Sequence, residues 1–264
     1  MKIIAEVGWN HLGDINVAKE MIDAAADSGA DYCKFQTWSV KNLRNGPWDS
    51  DGRREIYNKA ELTYENHNEL KDYCNKKKIK FLTSIFNIKD IEFLKKLLPE
   101  IIKIGSPEIN NLELIKECLE NFERVILSTG AAKWEEILTL KKLPNLKKLV
   151  LMHCVSSYPC DLENINMPRM KELKQIVKDV GYSGHYSGID DALLAISNGA
   201  QYIEKHFTID RNLPGKDNKL SILPEELKII VDFKDNVEKM QKFKGLEIQE
   251  CEKDTLLTRG RWNK

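Results

Sequence analysis

The stretch GYSGHYSGIDDALLAISNGAQYIEKHFTIDRNLPGKD, Gly181 to Asp217, decides the fold. It reads strand, helix, strand, loop. Val180–Tyr182 ends a short apolar strand, with Ser183 and His185 just beyond it. Ile189–Ser197 has helical apolar spacing and is stopped by Asn198-Gly199. Tyr202, Ile203 and Phe207 mark the next strand. Glu204 and His206 share one face of it, because side chains on a strand alternate. In a βαβ unit neighbouring parallel strands end on the same side of the sheet, so His185 and His206 converge there. Neutral imidazole is the commonest transition-metal ligand, and two converging imidazoles form half of a catalytic metal site. The alternative is two separate histidines that merely finish their strands.

Working outward, the same alternation of short apolar strands and amphipathic helices fills the chain. Strands are expected at Ile3–Val7, Tyr32–Gln36, Lys80–Ser84, Ile101–Ile104, Val125–Ser128 and Lys148–His153, ahead of the two just described. Helices are expected at Asn16–Ser28, Tyr64–Lys78, Ile88–Leu97, Leu112–Glu120, Trp134–Lys142, Pro168–Lys178 and Pro224–Lys242. Trp38–Lys59 reads as a polar, aromatic loop broken at Gly46-Pro47, and Val155–Met167 as a second loop. Eight βα units in a chain of 264 residues predict an α/β fold of the (β/α)8 TIM-barrel type. The barrel is assigned to residues 1–245, and 246–264 to a charged C-terminal tail. A doubly wound sheet is the rival, but Gly8-Trp9-Asn10-His11 is no Gly-rich dinucleotide turn.

Composition narrows the function. Charged residues make up 31% and the formal net charge is zero, so no basic excess argues for nucleic acid or an anionic membrane. Met1-Lys2-Ile3-Ile4 runs straight into a strand, leaving no room for a signal peptide. No apolar run approaches the ~20 residues needed to span a bilayer. The six cysteines show no CxxC pair, which fits reduced thiols and a cytoplasmic location.

Barrel active sites collect at the C-terminal ends of the strands. Those positions here are Glu6, Lys34, Gln36, Ser84, Lys103, Ser106, Glu108, Ser128, Thr129, His153, Ser156, Ser157, Tyr158, Ser183, His185, Lys205 and His206. A barrel that only had to fold would not need so many charged and hydroxyl groups at one rim. Lys34 and Lys103 sit inside apolar strands (YCKFQ, IIKIGS), where an unpaired ammonium is costly to bury. Either an anionic ligand or a salt bridge to Glu6 or Glu204 meets that cost. Ser106, Ser128 and Ser183, with the Gly105 and Gly130 amides, suit phosphate oxygens.

On seven runs the chain resembles the sialic acid synthase family, N-acetylneuraminate synthase and its relatives. The runs are IAEVGWNHLGD (Ile4–Asp14), GADYCKFQT (Gly29–Thr37), IKIGSPEINNL (Ile102–Leu112), ILSTGAA (Ile126–Ala132), LMHCVSSYP (Leu151–Pro159), VGYSGH (Val180–His185) and IEKHFTIDRNLPGKD (Ile203–Asp217). They follow in family order across the whole barrel. The resemblance implies condensation of phosphoenolpyruvate with an aldose such as an N-acetylhexosamine, giving a nonulosonic acid and phosphate. It implies that His185 and His206 hold a divalent metal, typically Mn2+, with Mg2+ or Co2+ as alternatives. It places Glu6 and Glu108 near the reacting groups, with Glu108 first for proton transfer. It assigns Lys34, Lys103, Ser106, Ser128 and Ser183 to phosphoenolpyruvate, and Gln36, Tyr158 and Asp217 to the sugar.

The chain departs from the family in three places. The family's Ser-Asp-His is Ser183-Gly184-His185 here, so a carboxylate beside a metal ligand is gone. Ser156 and Ser157 stand where an Asn is common. The family usually continues into a small antifreeze-like domain that offers an arginine to the sugar of a partner subunit, and this chain stops before it. The expected assembly is a homodimer, with Arg259 or Arg261 of the tail, or a separate polypeptide, taking the place of that domain. A shorter or phosphorylated aldose, or a non-catalytic sugar-phosphate-binding paralogue, are the competing readings.

Overall fold

The computed structural model describes residues 1–98 and 100–262. Eight parallel strands close into a barrel in sequential order. They are β1 (Lys2–Glu6), β2 (Tyr32–Thr37), β3 (Lys80–Ile85), β4 (Ile101–Ile104), β5 (Arg124–Ser128), β6 (Leu149–His153), β7 (Asp179–Gly184) and β8 (Tyr202–His206). β1 closes the ring by pairing with both β2 and β8: Glu6 lies opposite Lys34 on one side and His206 on the other. The helices are α1 (Ile15–Asp27), α2 (Arg53–Ala60), α3 (Tyr64–Lys76), α4 (Ile91–Leu97), α5 (Leu112–Asn121), α6 (Trp134–Thr139), α7 (Arg169–Glu172), α8 (Asp190–Ser197), α9 (Pro224–Met240) and α10 (Lys253–Leu256). The expected (β/α)8 barrel is therefore the fold.

Strand alternation separates two cores. Outward residues such as Ile3, Cys33, Phe35, Ile102 and Leu127 pack with Met21, Ile22, Leu70, Ile115 and Ile230 of the helices. Inside the ring, Ile4, Tyr32, Leu82, Ile101, Ile126, Val150 and Met152 form an apolar floor. Each buried aliphatic contributes about 1.5–3 kcal/mol relative to exposure. Two residues further along six of the strands the inward position turns polar. Ile4 gives way to Glu6, Tyr32 to Lys34, Leu82 to Ser84, Ile101 to Lys103, Ile126 to Ser128, and Tyr202 to Glu204 and then His206. The period of two thus builds a dry floor and sets a polar layer on it, at the C-terminal mouth.

Local chemistry explains where the elements start. Asp14 caps α1 by accepting from the amides of Asn16 and Val17 at 2.8 and 3.3 Å. Thr63 and Asn66 cap α3 reciprocally. The larger departures from the sequence reading are four. The expected loop Trp38–Lys59 contains two short 3-10 turns, Val40–Asn42 and Pro47–Asp49, and most of α2. That helix has no apolar stripe; it is held by Ala60, which is buried, and by Tyr57 against Trp9 and Trp38 at 5.2 and 6.0 Å between ring centroids. The expected helix Pro168–Lys178 is α-helical only over Arg169–Glu172, then tightens to a 3-10 turn at Leu173–Gln175. Trp134–Lys142 likewise ends as 3-10 from Leu140. β7 runs through Gly184, so Ser183 belongs to the strand and does not follow it.

All six cysteines are free, five of them buried and Cys251 exposed. Among the described residues no helix is long and apolar enough to cross a membrane. The tail is exposed along most of its length.

Candidate active site

The C-terminal mouth opens into a cavity of about 1120 Å3. All twelve residues that the resemblance assigns to the site line it: Glu6, Lys34, Gln36, Lys103, Ser106, Glu108, Ser128, Tyr158, Ser183, His185, His206 and Asp217. Of the other expected rim positions Ser84 lines it too, whereas Thr129, His153, Ser156, Ser157 and Lys205 do not. The twelve come from seven of the eight strands and the turns that follow them, all but β3, so barrel closure alone assembles the site.

Four charges stand at its base. Lys34 Nζ lies 2.7 Å from Glu6 and 3.7 Å from Glu204, and donates to Ser84 Oγ at 2.8 Å. Lys103 Nζ lies 3.7 Å from Glu204 and donates to Ser128 Oγ at 2.7 Å. All four charged side chains are essentially buried. The salt bridges weighed in the sequence reading are therefore present, and the cost of burying the two ammoniums is already met within the chain. Burial alone would lower the Lys34 pKa, but Glu204 and Glu6 outweigh it and raise it. Lys103 has the weaker carboxylate support and burial keeps its pKa below the ordinary lysine value. Burial pushes Glu6 up against the opposing pull of Lys34. Burial acts the same way on Glu204, but Lys103 and Lys34 together carry it down to about 2. The set holds two firm charges, Lys34 and Glu204, and two that give up their charge more readily.

The imidazoles of His185 and His206 lie 5.5 Å apart between ring centroids. His185 Nδ1 is 2.6 Å from the Val155 carbonyl. That contact needs the proton on Nδ1 and leaves the Nε2 lone pair free, the tautomer a metal ligand requires. Burial lowers the His185 pKa to about 4 and takes His206 well below its ordinary value, with His185 adding to the effect. Both rings are neutral near pH 7. His206 Nδ1 has no hydrogen-bond partner and sits 3.6 Å from Asp217 Oδ2. Burial, reinforced by Glu6, raises Asp217 to about 7. Two neutral, converging, incompletely bonded imidazoles fit a divalent cation. Among the described residues no third His, Cys, Asp or Glu joins them in a preformed cluster. A metal here would take its remaining ligands from water or substrate, as open catalytic sites do.

Across the mouth, Ser106 and Ser156 hydroxyls meet at 3.0 Å. A side chain at Gly130 would place its Cβ 2.2 Å from Ser156 Oγ and 2.7 Å from Cys154 Sγ, so only glycine leaves this hydroxyl-lined cradle open. Glu108 closes the turn after β4, where Asn111 Nδ2 donates to it at 2.9 Å. Tyr158 lies over His185 at 4.1 Å between centroids. Gln36 donates to Glu6 at 2.7 Å. The outer wall is aromatic and basic: Trp9, Trp38, Trp48, Arg44 and Lys216 line it.

A model of the NeuB family matches residues 21–245. The chain belongs to the NeuB family. An N,N'-diacetyllegionaminic acid synthase of Campylobacter jejuni is 37% identical over 268 residues, covering 95% of this chain and 79% of its own. A pseudaminic acid synthase of the same organism is 33% identical, covering 87% and 71%. The crystal structure of an N-acetylneuraminic acid (sialic acid) synthetase from Leptospira borgpetersenii, in complex with citrate, matches with a TM-score of 0.85 at 36% identity, covering 98% of this chain and 90% of that one.

Three features of this NeuB barrel escaped the sequence reading. Glu204 was assigned no role beyond pairing, yet it touches both lysines and accepts from Ser183 at 3.0 Å. Its place on the His206 face was the available signal. The Trp9 to Tyr57 aromatic wall gave no periodic signal at all. Lys205, expected at the rim, points out of the barrel; alternation next to His206 requires it.

Proposed function

We propose that the protein condenses phosphoenolpyruvate with an N-acetylhexosamine-like aldose, giving a nonulosonic, sialic acid-like 3-deoxy-2-keto sugar acid and phosphate. The observation that carries this reading is the Lys34–Lys103 pair, buried in the same cavity as the two neutral imidazoles. One half of such a site binds an anion and the other an oxygen to be polarised. Family membership, with relatives named legionaminic and pseudaminic acid synthases, supports it.

In this reading Lys34, Lys103, Ser106, Ser128 and Ser183 receive the carboxylate and phosphate of phosphoenolpyruvate. The buried atom Glu204 Oε2, which has no hydrogen-bond partner, gains one from substrate or water. His185 and His206 would hold a divalent cation, Mn2+ in first place, whose chemistry when bound is Lewis-acid polarisation of the acceptor carbonyl. Gln36, Tyr158 and Asp217 face the sugar. Carbon–carbon bond formation leaves positive charge at C2 of the former phosphoenolpyruvate. The Glu204 carboxylate, held ionised by the two lysines, is preorganised to stabilise it. Water supplies the new oxygen at C2, a carboxylate removes its proton, and phosphate departs as the adduct collapses to the keto acid. Glu108 takes that proton; Glu6, pushed toward protonation by burial, is next in line.

Phosphate release measured with phosphoenolpyruvate, Mn2+ and a panel of aldoses tests the proposal. Turnover is expected with an N-acetylhexosamine, none after chelation, and recovery when Mn2+ is restored. Glu108→Gln is expected to retain phosphoenolpyruvate binding and to lower kcat by two orders of magnitude or more, in the range of a lost general base. Absence of turnover with every aldose, or full activity without metal, rejects the reading.

A further inference from the structure

Between α8 and the outer face of β8, beside the end of β7 that leads into His185, lies a buried ion pair with no contact to the cavity. Lys205 and Asp191 are 2% and 1% exposed. Lys205 Nζ reaches both carboxylate oxygens of Asp191, at 3.0 and 2.9 Å, and donates to the Tyr186 carbonyl at 2.6 Å. Asp191 also accepts from the Tyr182 hydroxyl at 3.1 Å and from the Ala192 amide at 2.8 Å.

The connectivity matters more than the strength. Lys205 immediately precedes His206. Its partner in the β7–β8 register is Gly184, which immediately precedes His185. Tyr186, whose carbonyl the same ammonium holds, immediately follows His185. One ammonium and one carboxylate therefore tie together the chain neighbours of both imidazoles. Because side chains alternate, any rotation of these peptides that swings Lys205 outward also swings His206 inward.

Gly184 makes room for this arrangement. A Cβ at 184 would lie 2.3 Å from Asp191 Oδ2, 2.8 Å from Tyr182 and 2.9 Å from Lys205 Cδ. The carboxylate of α8 fills the space that a side chain on β7 would otherwise occupy. A buried ion pair is a poor source of net stability, since desolvation offsets most of its attraction. Its value here is geometric.

We propose that Asp191, acting through Lys205, is a positioning residue that fixes the separation of His185 and His206 and thereby sets metal affinity. The proposal rests on the reading of these two histidines as metal ligands. It touches no substrate, so phosphoenolpyruvate affinity in the absence of metal is independent of it.

The test is Mn2+ binding to the 264-residue chain without substrates, followed by the loss of the free-ion electron paramagnetic resonance signal. Four variants are compared with wild type: Asp191→Ala, Gly184→Asp, the double variant carrying both changes, and Asp191→Asn/Lys205→Met. The last leaves no unpaired buried charge and keeps a folded control available. Asp191→Ala is expected to weaken Mn2+ binding at least tenfold and to change metal-free phosphoenolpyruvate affinity less than twofold. Gly184→Asp alone also weakens binding, because its Cβ meets the Asp191 carboxylate. The double variant returns a carboxylate to the same space and recovers most of the affinity. Asp191→Asn/Lys205→Met stays folded and binds Mn2+ weakly. Wild-type Mn2+ affinity in that neutral double variant, or a Gly184→Asp/Asp191→Ala protein no better than Asp191→Ala, overturns the positioning role. If the loss of Mn2+ binding in His206→Ala is seen alongside either result, the ligand reading stands and only the positioning role falls. If wild type itself binds no Mn2+, both fall.

Discussion

At the scale of single residues, what distinguishes the site is how unequally its charges are paired. Lys34 serves Glu6 and Glu204, whereas Lys103 shares Glu204 only. Lys34→Met therefore leaves the buried Glu6 carboxylate without a cation and Glu204 with Lys103 alone, and is expected to cost about 3–5 kcal/mol, the usual penalty for breaking a buried pair. Lys103→Met leaves Glu204 with Lys34 and is expected to lower Tm far less. Both should raise the KM for phosphoenolpyruvate at least tenfold. Thermal melts beside steady-state kinetics separate the two effects, and equal Tm losses would contradict the pairing scheme. The pH dependence of stability carries a second signature. His185 falls from its ordinary 6.5 to about 4 on folding, so its contribution is full above 6.5 and is lost as the pH drops toward 4. Asp217 has the opposite sign. It rises from 3.8 to about 7, so its contribution is full below 3.8 and is lost as the pH climbs through 7. Between pH 7 and 5 the two oppose each other. His185→Gln should lose less Tm than wild type over that window, and Asp217→Asn should lose more.

At the scale of elements, the strands were legible because all but β7 have an apolar floor residue and all have outward apolar neighbours. The lysines were legible because a charge inside such a strand demands an explanation. α2 was not, since RREIYNKA shows no apolar face and is anchored only in the folded molecule, where Tyr57 meets Trp9 and Trp38 and Ala60 is buried. Asp191 was equally hidden: its role depends on empty space at Gly184, which a sequence displays only as a missing side chain. The segment between β2 and α3 deserves its own experiment. It brings Trp38, Arg44 and Trp48 to the outer cavity, and Arg53 lies 6.0 Å over the Trp48 ring. Flat aromatic and guanidinium surfaces suit the hydroxylated face of a sugar. An Arg44→Ala/Trp48→Ala variant is expected to raise the aldose KM about tenfold or more, a loss of roughly 1.4 kcal/mol or greater. The phosphoenolpyruvate KM should stay within twofold. A change confined to phosphoenolpyruvate would move this wall from the acceptor side to the anion side.

At the scale of the whole molecule, the barrel is complete while the segment after α9 is not integrated with it. Phe243, Leu246, Leu257 and Trp262 are 79%, 93%, 87% and 85% exposed, so none contributes to either core. α10 is four residues long, and a helix that short does not persist without tertiary support. Removal of residues 246–264 is therefore expected to leave Tm within about 2 °C and the phosphoenolpyruvate KM unchanged, because a segment that buries nothing stabilises nothing. The same four apolar side chains are a cost in water unless something covers them. The occupant that fits the sequence reading is a second copy, with Arg259 or Arg261 reaching its neighbour's sugar pocket. Sedimentation of the full and shortened proteins at matched concentration, beside aldose kinetics, decides it. A dimer that falls to monomer on truncation, with a raised aldose KM, places the tail at the neighbouring site. An unchanged oligomer with unchanged aldose KM leaves it a frayed end. A large drop in Tm would contradict the exposure of those side chains, and with it the independence of the barrel.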